Sequence, residues 1–414
     1  MMGRTLTLPT IVITGLGAIT PLGLTVEEYW QGLVNGRSGF GPITLFDASA
    51  YPVSVAAEVK NFDPEKYMPL KRVDRTSRCI QFAIAASNMA IESARLDMSQ
   101  EKPEKVGVII ATSGMMSIIA DEGEVLRKKG PMRIDPLGIT KTAPSMVTAQ
   151  VGLEIGAKGP NTSLNSACAS GSDALGIALN HLRLGHANVL IAGGAEANVN
   201  PIAIASTARV GALSREKDPG KASRPFDLNR DGFVFGEGAG IMVLETLEHA
   251  QERSAPILAE LAGAGWSFDA YNETAPDAET QAIAMRMVLQ DAGVTPEEVD
   301  HINAHGTSTR LNDAAETRAI KMVFGDRAYK IPVSSNKSMI GHLACAAGAA
   351  EAVAAVMTVR EGIIPPTIHY ETPDPDCDLD YVPNKARRQT VNVCLSNSFG
   401  MGGQNCSVII KRFP

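Results

Sequence analysis

Short apolar runs alternate with alanine-rich stretches of helical period along this chain, the pattern of an α/β protein whose helices pack on strands. The pattern predicts strands over 10–14, 106–111, 189–192, 240–244, 299–304, 331–334 and 391–396. Residues 81–96 and 280–292 read as helices, the second stopped by Gly293. Another helix is expected from Thr295, with Pro296 at its first position and Glu298 three residues after the cap. Residues 344–359 are so rich in alanine and so poor in charge that their helix must be buried.

Two stretches share one order of features. Residues 163–196 run from a polar turn through Cys168, a small-residue helix and Gly185 to an apolar strand and a glycine pair. Residues 334–403 run from a polar turn through His342, a small-residue helix and Gly362 to an apolar strand and a glycine-rich turn. The parallel predicts two similar halves, a pseudo-symmetric pair of sheets with helices between them. No linker rich in Pro, Gly or Ser divides the chain, so the halves are expected to share an extensive interface.

Composition narrows the class. With 414 residues, 44% hydrophobic and 20% charged, the chain is neither disordered, coiled-coil nor collagen-like. A formal charge of −7 gives no reason to expect nucleic acid or an anionic membrane as the main partner. No apolar run reaches the roughly 18 residues of a membrane span, and the apolar stretch 11–19 reads as strand and turn instead of a signal peptide. Six cysteines without C-x-x-C pairs read as reduced thiols of a cytoplasmic enzyme, most of them small buried hydrophobes.

Three turns carry candidate chemistry. Cys168, in Asn165-Ser166-Ala167-Cys168-Ala169-Ser170-Gly171, is placed at the entrance of a helix. The helix N-terminus is expected there to favour thiolate over thiol, and small neighbours let a carbonyl approach backbone donors. His305 lies where an apolar strand runs into Gly306-Thr307-Ser308-Thr309, whose alternating hydroxyls suit a linear polar ligand. His301, four residues earlier, makes no metal pair, because the segment is strand and the glutamate of H-E-x-x-H is absent. Lys337 and His342 stand at the entrance of the alanine-rich helix, and Lys337 is expected to find a buried carboxylate such as Glu316 or Glu351. The turn Phe399-Gly400-Met401-Gly402-Gly403 offers a backbone donor, but neither it nor Gly236-Glu237-Gly238-Ala239-Gly240 opens a helix as a phosphate loop would. One thiol with two histidines points to acyl transfer through a thioester. A hydrolase would need one oriented histidine; two histidines and a lysine suit stabilisation of a thioester enolate.

These motifs, in this order, make the chain resemble the β-ketoacyl-acyl carrier protein synthase II family, condensing enzymes of the thiolase superfamily. The resemblance runs from Val12-Ile13-Thr14-Gly15-Leu16-Gly17 to Gly402-Gly403-Gln404-Asn405. It takes in Ala192-Gly193-Gly194-Ala195-Glu196, Ser223-Arg224-Pro225-Phe226-Asp227, Arg230-Asp231-Gly232-Phe233-Val234 and Lys337-Ser338-Met339-Ile340-Gly341-His342-Leu343. It implies a thiolase fold, two duplicated halves layered α-β-α-β-α, with residues 1–255 carrying the nucleophilic cysteine and 256–414 the two histidines and the lysine. By the same resemblance Cys168 takes the acyl chain, and His305 and His342 drive decarboxylation of malonyl-acyl carrier protein. Lys337 holds the electrostatics with Glu316 as its supporting partner. The N–H groups of Cys168 and Phe399 form an oxyanion hole, and Thr307 and Thr309 bind the phosphopantetheine arm.

No metal or redox cofactor is implied, and a homodimer is. A basic set, Lys66, Lys71, Arg72, Arg75, Arg127, Lys128 and Lys129, is the expected patch for an acidic carrier protein. The chain departs from the family where Met401 replaces a second aromatic regarded as the acyl-pocket gate, and where Arg310 replaces a proline. Met115 and Met116 fall in a stretch that lines the family's acyl pocket. Two other readings share much of this pattern: a ketosynthase of a polyketide or specialised lipid pathway, and a silent subunit that sets chain length. The second would lack the cysteine.

Overall fold

The computed structural model describes residues 8–414. Ten strands form one mixed sheet. In chain order they are β1 (Ile11–Ile19), β2 (Val106–Ala111), β3 (Asn161–Leu164), β4 (Val189–Glu196) and β5 (Gly238–Thr246). The second five are β6 (Ala259–Phe268), β7 (His301–Asn303), β8 (Val333–Ser334), β9 (Val393–Phe399) and β10 (Gln404–Lys411). Their spatial order is β8-β7-β9-β10-β6-β1-β5-β4-β2-β3.

That order is a palindrome of two equal halves. In each half the first strand pairs antiparallel with the fifth, the fifth antiparallel with the fourth, and the rest are parallel. Within the sheet the halves are joined by β1 and β6, at Val12–Glu260 and Ile13–Ala259. The repeat expected between 163–196 and 334–403 is present: strand, central helix, strand in both. The fold is the thiolase type.

Six helices matter for the argument: α1 (Arg78–Ala94), α2 (Met116–Lys129), α3 (Ser170–Arg183), α4 (Ala278–Ala292), α5 (Arg310–Phe324) and α6 (Ala347–Glu361). Helix α1 covers the outer face of one half-sheet and α4 that of the other. Helices α3 and α6 lie between the halves, each touching strands of both. Alanine explains how they fit. From Ala347 to Val359 every residue of α6 is buried, and a side chain at Gly171 of α3 would stand 2.5 Å from the Ala349 nitrogen. Small residues therefore let the two central helices pack backbone to backbone.

The predicted elements are mostly found, with different bounds. Gly293 does end α4 in a left-handed cap, but the helix expected from Thr295 is a single 3-10 turn, Pro296–Glu298, closed by its capping box. Strand β4 does not stop at Ala192 but continues through the glycine pair, Gly193 and Gly194, to Glu196. Helix α6 begins three residues late, because Ala344–Ala346 forms a tight turn first.

Candidate active site

Four chain segments meet at one cavity of about 530 Å³, lined by Cys168, His305, Thr307, Thr309, His342, Phe399 and Met401 among others. Three of them reach it through a strained turn. Ala167, just before Cys168, has φ of 50°, Ser308, between the two threonines, 70°, and Ala344, just after His342, 46°. A left-handed conformation costs a non-glycine residue about 1–2 kcal/mol, and such strain clusters at functional sites. No residue type announces it here, so sequence reasoning missed all three positions.

Cys168 sits two residues before α3 and is partly exposed to the cavity. The other five cysteines are buried, and all six are unpaired. The expectation of a thiolate is overturned. Burial pushes the Cys168 thiol above its ordinary value of 9.0, against the opposing pull of the Met401 N–H and of Lys337, while Glu351 adds to the rise. The dry surroundings outweigh the backbone donors and the lysine. The backbone N–H groups of Met401 and of Cys168 itself both act to lower the thiol. Phe399 is a buried wall of the cavity, its ring 5.8 Å from that of His305.

The two histidine rings stand nearly perpendicular at 5.5 Å. Burial first, then the Lys337 ammonium, holds both well below the ordinary 6.5, and His342 further lowers His305. Both rings are therefore neutral at pH 7. The Ala344 N–H donates to His342 Nδ1 at 3.2 Å, so the proton of this ring is on Nε2. That Nε2, like Nδ1 of His305, is buried without a hydrogen-bond partner. Phe233 backs His342 at 5.0 Å between ring centroids.

Lys337 finds a buried carboxylate, but it is Glu351 and not the Glu316 that the resemblance implied. Lys337 is fully buried and donates to Glu351 of α6 at 2.5 Å. Glu351 is pushed up to about 7 by burial, against the attraction of the lysine. Glu316, on α5, has another task. Its two oxygens accept the backbone N–H groups of His305 and Gly306 at 2.8 Å each, and Asn397 donates to it at 3.1 Å. It holds the turn that carries His305. Gly306 itself has φ of 40°, and a side chain there would lie 2.6 Å from Ser335 Cβ.

Thr307 and Thr309 share a hydrogen bond of 2.9 Å on the cavity wall, and Met401 lines the cavity while 46% exposed. None of the basic set from Lys66 to Lys129 lines the cavity. Within that set Arg72 pairs with Glu154, and Lys128 pairs with Glu124 at 2.5 Å. Met115 is buried beside the strands, and Met116 opens α2 at 42% exposure.

A cysteine facing two neutral histidines over a buried lysine defines a thiol-dependent acyl-transfer enzyme. Comparison with known proteins gives the same class. Residues 9–250 match the N-terminal domain of beta-ketoacyl synthases and residues 258–371 the C-terminal domain. The chain is 47% identical to the 3-oxoacyl-[acyl-carrier-protein] synthase 2 of Synechocystis and 46% identical to that of Coxiella burnetii. Both matches span 97% of this chain and 98% of the relative. The ishigamide ketosynthase/chain length factor superposes with a TM-score of 0.93 at 38% identity, over 99% of this chain and 100% of that one. A type II polyketide ketosynthase, solved with its acyl-carrier protein, gives 0.90 at 36% identity over 98% and 100%. The chain belongs to the beta-ketoacyl synthase family. It is a condensing enzyme, an acyltransferase. Among the described residues no helix is long and apolar enough to cross a membrane.

Two outcomes follow from the electrostatics. Lys337→Met leaves Glu351 buried without its partner and is expected to cost roughly 3 kcal/mol or more in denaturant unfolding. Lys337→Met with Glu351→Leu should recover most of that loss; a neutral single variant would refute the role given to the pair. For Cys168, a pKa above 9.0 means that alkylation by iodoacetamide keeps accelerating as pH rises past 9. A plateau already reached below pH 8 would contradict it.

Proposed function

We propose that the enzyme condenses an acyl group, held on Cys168, with malonyl-acyl carrier protein to give 3-oxoacyl-acyl carrier protein, as in fatty-acid elongation. In the first half, the Cys168 sulfur attacks the acyl thioester. The carbonyl oxygen gains its charge beside the N–H groups of Cys168 and Met401, which act as the oxyanion hole. The carrier thiol leaves and the acyl chain stays on the enzyme. In the second half, the malonyl thioester enters the same cavity. The neutral imidazoles donate to its carbonyl oxygen, the carboxylate departs as carbon dioxide, and the bond electrons become an enolate. That enolate attacks the acyl-Cys168 carbonyl and expels the thiolate.

The observation that carries this reading is the pair of neutral histidines with unpartnered nitrogens beside the thiol. Imidazolium would protonate the enolate, whereas neutral N–H donors stabilise it and leave it nucleophilic. Loss of carbon dioxide replaces proton abstraction from carbon, so the chemistry calls for no metal or redox cofactor. The raised thiol pKa fits an acylation assisted by one of the histidines. Thr307 and Thr309 face the polar arm of the carrier. The reaction belongs in the cytoplasm, a reducing compartment suited to six unpaired cysteines.

Met401 favours a second reading, a ketosynthase that builds polyketides or specialised lipids, since a flexible side chain at the cavity adapts to bulkier acyl groups. Both readings keep the same condensation. Intact mass after mixing with an acyl-carrier protein is expected to show acylation of the wild type and none of Cys168→Ala. Acylation that survives the substitution would refute the nucleophile, and the product formed with malonyl-carrier protein separates the two pathways.

A homodimer is the assembly this surface supports. The sheet ends at β3, whose outer edge has no neighbouring strand among the described residues. The helix Ser145–Ile155 packs on β3, and its Leu153 is 72% exposed. An open edge next to an exposed apolar side chain is what a second copy covers. Light scattering should give a mass near twice 43.7 kDa, and Leu153→Asp should lower it; a monomeric wild type at micromolar concentration would exclude the assembly.

A further inference from the structure

The segment that carries His305 climbs from the floor of the cavity to solvent. His305 is 3% exposed and Thr307 5%, Thr309 is half-buried, and Arg310 and Leu311 are exposed. All five line the same cavity. The chain therefore lays out a ring nitrogen, two hydroxyls and then a guanidinium, in that order, from the thiol outward.

Arg310 has no close partner, although against the effect of burial its charge adds to that of Arg230 in holding the Asp374 carboxyl below its ordinary value. No carboxylate lies within ion-pair distance of it among the described residues, although buried Arg230 beside it is paired with Asp374. The one bond of its side chain runs from Nε to the Arg230 carbonyl at a weak 3.4 Å, which leaves both terminal nitrogens free. Three acids line the same cavity: Asp231 is occupied by Ser214 Oγ at 2.7 Å and the Arg215 N–H at 3.0 Å, Asp269 accepts from Thr280 and Asn405, and Glu273 is turned to solvent. The floor below holds the unpartnered ring nitrogens of His305 and His342, so the cavity is built for a ligand that reaches from rim to floor.

We propose that Arg310 is a specificity-determining residue that binds the phosphate group at the outer end of the substrate's arm. This rests on the reading of the substrate as a pantetheine thioester. In such a molecule the reacting thioester, the amide groups and the phosphate follow one another along a single chain. The thioester belongs at Cys168, the amides at the threonine hydroxyls, and the phosphate at the rim, where the guanidinium fork matches its oxygens. The guanidinium thus distinguishes an arm that ends in phosphate from one that does not.

The test uses the full-length enzyme and two small probes, acyl-pantetheine 4′-phosphate and acyl-pantetheine, with an acyl-carrier protein as the third. The second-order rate of Cys168 acylation is followed by intact mass. In the wild type the phosphate-bearing probe is expected to react faster than the phosphate-free one. In Arg310→Ala that preference should fall by roughly fivefold to tenfold, the scale of one charge-assisted bond at a wet rim. Arg310→Lys should restore part of it, and raising the salt concentration should erode the wild-type preference.

An unchanged ratio in Arg310→Ala, or an equal loss with both probes, overturns the assignment. The small probes read Arg310 whether or not a carrier protein is the natural donor. If they acylate the enzyme and the carrier thioester does not, the carrier reading fails while the ratio still decides the phosphate contact. If none of the three acylates Cys168, both fall.

Discussion

One buried ion pair sets the electrical conditions for everything near it. Lys337 and Glu351 face each other at 2.5 Å in the alanine-rich layer between the two half-sheets, with no water-exposed surface on either. Coulomb forces act over longer range in such a medium, so this pair is felt by Cys168, His305, His342 and Tyr29. The lysine disfavours charge on His305 and His342, and partly offsets the burial of Cys168. The glutamate raises Cys168 and, after burial, the Tyr29 hydroxyl, which donates to the Ala350 carbonyl at 3.2 Å. The outcome is a centre whose thiol and imidazoles are all uncharged at rest. Charge appears there only when a substrate brings it.

The duplicated architecture explains why the site lies where it does. Each half contributes a strand that runs into a turn and then a central helix, and the pseudo-symmetry brings Cys168 before α3 and His342 before α6 to the same cavity. His305 comes from the strand end beside them and needs a separate support. Glu316 supplies it by accepting the two successive N–H groups of the turn. The strained residues at 167, 308 and 344 are held by this packing, since each lies between elements that the sheet and central helices fix.

Much of the fold was legible in the chain. Strand β2 has the bounds its apolar run predicts, and the repeat of turn, small-residue helix and strand points to the duplication. Strand β6 escaped because Ala259–Phe268 is built of small residues with no alternation, as expected where both faces are covered. Helix α5 escaped because the hydroxyl run before it read as extended. For the site, Cys168, His305, His342, Thr307, Thr309, Phe399 and Met401 were all singled out and all line one cavity. The position of Arg310 was visible as a departure, but its freedom from partners was not.

What the amino-acid order determined by itself is the inventory of chemistry: which thiol, which rings, which turns, and that two similar halves present them. Those features are local, written in neighbours along the chain. The tertiary structure alone decided how the inventory behaves. It chose Glu351 over Glu316 as the partner of Lys337, and a neutral thiol over a thiolate. Each of these depends on distances between residues remote in sequence and on how much water is removed around them, quantities that only the packed molecule sets.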